Sequence, residues 1–93
     1  GLASSFLGLG KALKKSNKDD HAVKVLNQAL TKFSDSNDKL GQANAAKELG
    51  EIFFGNGNNE KAKQLFEQSK EWFVQMNEDN EVKKINTKLV TLN

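Results

Sequence analysis

Four groups of residues in this 93-residue chain are of types that could do chemistry. Gly8-Leu9-Gly10-Lys11 comes nearest to a phosphate-binding loop. That loop needs a glycine at residue 5 and a Ser or Thr at residue 12, after a strand; the chain has Ser5 and Ala12, and no strand precedes them. His21, the single histidine, stands beside Asp19 and Asp20. A helical metal pair would need a second histidine four residues on, where Val25 stands, so His21 reads as a solvated residue of a helix start. Glu48/Glu51 and Glu67/Glu71 could be named acid/base dyads, but carboxylates three or four residues apart share a solvated helix face, with lysines nearby and no pocket implied. Cysteine is absent, which removes disulfide scaffolds and thiolate zinc sites. No nucleophile, base and orienting group come together, so the expectation is no enzyme, no cofactor and no metal site.

Binding is the remaining class. The net charge is only +2 and all fourteen basic residues are lysine. Arginine, the usual bidentate reader of guanine and phosphate, is missing, so nucleic acid is not the expected partner, and an RNA-binding helical repeat is disfavoured. No apolar run approaches the ~20 residues of a membrane span. The opening Gly-Leu-Ala-Ser-Ser-Phe-Leu-Gly-Leu-Gly has no basic leader and no initiator methionine, which reads as a fragment of a longer, cytoplasmic protein. The abundance of lysine and asparagine carries little functional weight and is what an AT-rich genome would encode.

The elements that must carry these residues are helices. The chain has no proline, 37% apolar and 28% charged residues, a balance that suits a thin, elongated helical array. Apolar residues recur at spacings of three and four over five stretches. The first runs about Ala3 to Lys15 on Phe6, Leu9 and Leu13. The second, with Asp19 or Asp20 as its cap, carries Ala22, Val23, Leu26, Ala29, Leu30 and Phe33. The loop 34–38 supplies a cap for the third, about Lys39 to Phe54, on Leu40, Ala43, Ala46, Leu49, Gly50 and Phe53. Gly55-Asn56-Gly57-Asn58-Asn59 is a helix stop followed by an Asn cap rather than a β-hairpin, since neither flank alternates with period two. The fourth stretch, about Glu60 to Met76, uses Ala62, Leu65, Phe66, Ser69, Phe73 and Met76. The last, about Glu81 to Leu92, uses Val82, Ile85, Leu89 and Leu92. Trp72, next to the core residue Phe73, either packs on the last helix or marks an interface.

Shifted by forty residues, the pattern returns: Leu9-Gly10 falls on Leu49-Gly50, Leu13 on Phe53, Leu26 on Phe66 and Phe33 on Phe73. Phe6-x-x-Leu9-Gly10-x-x-Leu13 and Ala46-x-x-Leu49-Gly50-x-x-Phe53, with Ala22, Leu26, Ala29 and Ala62, Phe66, Ser69, resemble the two helices of a tetratricopeptide repeat. The chain departs from that family in its forty-residue spacing, its lack of a closing proline and the small Ala46. The resemblance implies an all-α fold of antiparallel helix hairpins, a short α-solenoid in one domain over residues 1–93. Repeat one would cover about 3–38 and repeat two about 39–78, with a capping helix over about 81–92.

In that family the first helices of successive repeats line a concave groove. Transferred here, the groove would show Ser4, Leu7, Lys11, Lys14 and Lys15, then Asn44, Lys47, Glu51 and Phe54, then Lys84, Thr87, Lys88 and Thr91. Lys47, Lys84 and Lys88 partly match the set with which co-chaperones of the family clamp a terminal carboxylate, but Glu51 stands where that clamp wants asparagine. These lysines are either a solvated face or a basic groove with an exposed anchor, Phe54. The expected partner-binding set is Lys11, Lys14, Asn44, Lys47, Glu51, Phe54, Lys84 and Lys88. The expected function is to hold a peptide or helix of another protein, an acidic segment by charge. The alternative is a structural scaffold that self-associates through its exposed end helices.

Overall fold

Helix stops repeat along this chain at a fixed interval. Asn17, Asn37, Gly57 and Asn77 have φ of 61°, 56°, 81° and 59°. Glycine and, among the other residues, asparagine visit this left-handed region most readily. The backbone N–H of the next residue then reaches back to close the preceding helix: Lys18 donates to the Leu13 carbonyl at 2.9 Å, Asp38 to Phe33 at 2.8 Å, Asn58 to Phe53 and Glu78 to Phe73 at 2.9 Å. The asparagines that composition alone left without weight therefore serve at three of the four chain reversals.

In the computed structural model, which describes residues 2–92, the stops divide the chain into five α-helices. They are α1 (Leu2–Lys15), α2 (Asp19–Asp35), α3 (Lys39–Gly55), α4 (Asn59–Gln75) and α5 (Asp79–Leu92). The fold is all-α, and no strand occurs among the described residues. From α2 onward, helices start at residues 19, 39, 59 and 79, a spacing of twenty. Asp38 caps α3 by accepting from the Gly41 N–H at 2.9 Å, and Asn58 caps α4 by accepting from Lys61 N–H at 3.4 Å. The expected Asp19 or Asp20 cap on α2 is corrected. Lys18 holds that position without a side-chain bond, and both aspartates lie in the first turn, where they favour the positive end of the helix dipole.

Each helix packs on its neighbours in sequence, and α1 also touches α3. Two apolar clusters result. One joins Ala22, Leu26, Leu49 and Ile52, with Leu7 and Leu13 of α1 packed on it. The other joins Ala43, Phe66, Phe73, Ile85 and Leu89 across α3, α4 and α5. Phe53 packs on both. Glycines let the helices approach. A Cβ on Gly10 would lie 2.5 Å from Leu26, and one on Gly50 would lie 2.9 Å from the Phe66 ring. One on Gly41 would run into the Phe33 ring. Between α3 and α4 the buried Ser69 hydroxyl donates to the Ala43 carbonyl at 2.7 Å.

Three expectations change. Leu9 and Leu40, read as core, are each 50% exposed, and Leu7, read as groove, packs on the core instead. The helix period finds the correct stripe but not where its neighbour ends. The array is not elongated: its radius of gyration is 12.3 Å, about what a compact domain of this length has, and only the shortest axis, 18 Å, is thin.

Candidate protein-interaction site

Because α3 turns Ala46, Leu49 and Gly50 inward, Asn44, Lys47, Glu51 and Phe54 are left on a half-buried flank. In α5, Ile85 and Leu89 turn inward and leave Lys84 and Lys88 beside them. The two flanks meet around an open surface cavity of about 450 Å³, lined by Lys47, Glu51, Lys84, Ile85, Thr87 and Lys88. Four of the eight residues selected from sequence come together there.

The charges around this cavity are tied in two networks. Lys47 donates to Glu81 at 3.0 Å, and Lys84 approaches the other Glu81 oxygen at 3.5 Å. The hydrogen bond from Lys47 holds the Glu81 carboxyl below the usual carboxylate value, against the upward push of desolvation, with the Lys47 and Lys84 charges adding to the downward shift. The Lys84 side chain is 70% exposed, so its charge stays open to solvent. On the other side, Lys14 of α1 donates to both Glu48 and Glu51 of α3, each at 2.5 Å. Burial pushes the Lys14 ammonium toward a lower pKa, but the bonds to Glu48 and Glu51 outweigh it and raise the value. Glu48 is buried, the only charged side chain that is so among the described residues.

The other selected residues lie as follows. Lys11 is exposed on α1 and Asn44 is half-buried on α3, and neither lines the cavity. Lys14 is committed to α3. Phe54 is not an open aromatic: it is half-buried, packs against the α3–α5 cluster, and has the Lys88 ammonium 5.8 Å from its ring centroid. Sequence reasoning missed Glu48 and Glu81, which organise the lysines. Seen in the structure, Lys14–Glu48 and Lys47–Glu81 are both lysine-to-glutamate pairs 34 residues apart.

Elsewhere, Gly8 to Lys11 lie inside the continuous helix α1, so they form no loop. His21 is exposed, and no group of three or more His, Cys, Asp or Glu that could hold a metal occurs among the described residues. No described helix is long and apolar enough to cross a membrane. Trp72 packs on the α3–α5 cluster and also lines a crevice between α2 and α4 with Leu30 and Gln68.

A family model described as soluble NSF attachment protein, SNAP, matches residues 2–93. No curated protein and no solved structure matches the chain. The family match overturns the assignment to the tetratricopeptide repeat family. Leu-Gly on one helix and a large residue on the next answer a packing demand that any tightly paired helices share, as Gly10 under Leu26 and Gly50 under Phe66 show. The two supposed motif leucines also differ in role, Leu49 being buried and Leu9 exposed. The matched description is of an attachment protein and names no enzymatic activity.

Proposed function

The chain belongs to the soluble NSF attachment protein family, and we propose that it serves as a docking module that holds an acidic segment of a partner protein against the α3–α5 cavity. The observation that carries this reading is the convergence of Lys47, Lys84 and Lys88 on one cavity between α3 and α5. A cluster of like charges around a cleft attracts a segment of the opposite charge. Lys11 and Asn44 flank the cavity in this reading, and Phe54 acts as a support for Lys88. The family description, attachment to NSF, fits a role in joining proteins, in a cytoplasmic setting. Within residues 1–93 the hairpins of about 3–38 and 39–78 act as two units related by forty residues, and α5 closes the second.

Paired baits test the reading. The wild-type chain and a Lys84→Glu/Lys88→Glu variant are used to retain proteins from the same extract, with circular dichroism to show that both are folded. At least one protein carrying an acidic segment should be held by the wild type, lost by the variant and released by salt. NSF retained equally by both would place that contact on another face. Identical retained sets throughout would sink the groove.

A further inference from the structure

Glu51 presents a difficulty for a cavity that takes acidic ligands, because it lines the same space as Lys47, Lys84 and Lys88. It lies four residues after Lys47 on α3, the spacing at which helical charge pairs form. Left to itself, its carboxylate would pair with one of the cavity lysines and repel an incoming carboxylate. In the structure it makes no such pair: its Oε1 accepts from Lys14, which arrives from α1.

Lys14 is held there by a separate constraint. The Glu48 side chain is 9% exposed, and a carboxylate so removed from water must be paired. Its partner is the Lys14 ammonium, at 2.5 Å. Glu48 thus fixes the ammonium between α1 and α3, within reach of Glu51 on the next turn of α3. We propose that Lys14 is a specificity-determining residue: by engaging Glu51 it keeps that carboxylate from pairing with Lys47, Lys84 or Lys88, and so leaves the cavity free for an acidic ligand. The proposal rests on the groove reading above. It adds that the ligand preference of a cavity between α3 and α5 is set from α1, a helix that does not line it.

The test uses the 93-residue chain and a fluorescein-labelled decaglutamate peptide, followed by fluorescence anisotropy at low ionic strength. The informative variant is Lys14→Met/Glu48→Gln, in which no buried carboxylate is left without a partner and only Glu51 is released. It should bind the probe roughly three- to tenfold more weakly, because the paired replacement leaves the net charge unchanged while the Glu51 carboxylate, no longer held toward α1, turns to the cavity lysines, and a unit charge moved several ångström nearer a charged ligand at a partly exposed site has an effect of that size. Adding Glu51→Gln to that background should restore wild-type affinity. Glu51→Gln alone should bind the probe no more weakly than wild type, since it removes a carboxylate that Lys14 holds toward α1. If the Lys14→Met/Glu48→Gln chain binds like wild type, or if Glu51→Gln fails to rescue it, Lys14 merely fastens α1 and the proposal falls. Should the double variant fail to fold, Glu51→Gln is compared with Glu48→Gln, each of which removes one of the two carboxylates that share Lys14: a gain from the first that exceeds the second by threefold or more overturns the proposal, and affinities within threefold of each other support it. A different result separates the two levels: if Lys84→Glu/Lys88→Glu binds the probe like wild type, the groove reading itself falls and takes the Lys14 proposal with it.

Discussion

Gly50 faces the Phe66 ring so closely that even one added carbon would sit 2.9 Å from it. Gly50→Leu should therefore overpack the α3–α4 contact and cost about 1–3 kcal/mol or more. For a domain of this size that is a fall in Tm of roughly 4–8 °C for each kcal/mol, readable by thermal circular dichroism. An unchanged Tm would show that α3 and α4 do not meet at this glycine. The position was legible in sequence because a glycine within an apolar stripe has few uses other than close approach. Gly41 was not legible, since it lies off the stripe, yet the Phe33 ring covers it from α2. The same limit explains Ala45, Glu48 and Ile52, all buried and none foreseen. Period identifies a helix with one buried face, whereas α3 has α2 and α4 on either side and α1 against it.

The five helices were legible because their stops are chemical. Asn37 ends the run of α2 with φ of 56°, and its N–H donates to the Ser34 carbonyl at 3.1 Å. Alanine there would have to adopt the same left-handed conformation without asparagine's tolerance for it, at a cost of about 1 kcal/mol, whereas glycine would be neutral or slightly stabilising. Urea melts of Asn37→Ala and Asn37→Gly give the check: the alanine variant should unfold at lower urea, and equal midpoints would mean that the reversal does not depend on this residue. What sequence could not supply is the pairing between helices. Lysines and glutamates occur together on every helix from α3 to α5, and only the docking of α1 on α3 and of α3 near α5 selects Glu48, Glu51 and Glu81 as partners. For the same reason only half of the selected site residues line the cavity, and Lys14, read as a groove residue, is instead committed to Glu48 and Glu51.

For the whole molecule, the two shifted groups bound a pH range. The Glu81 carboxyl is held below its ordinary 4.5 in the folded chain, so its contribution is complete above that value and is lost as pH falls through the folded value. The Lys14 ammonium is held above its ordinary 10.5, so its contribution is complete below that value and is lost as pH rises through the folded one. The Tm difference between wild type and Glu81→Gln should be constant near neutrality and shrink below about pH 4.5. A difference that grows in acid would mean that Lys47 does not hold the carboxylate. The family was the least legible layer, because resemblance was judged on Leu-Gly spacing, and that spacing reports helix packing rather than ancestry. The position of Trp72 has one more consequence. It is the only tryptophan, no tyrosine accompanies it, and it packs on the α3–α5 cluster rather than on the cluster beneath α1. Its ultraviolet emission is therefore a local gauge of the second cluster, while the amide dichroism averages over every helix. Followed together through one melt, the two signals distinguish a chain that loses its helices in a single step from one in which α1 loosens while the indole still emits from its native surroundings.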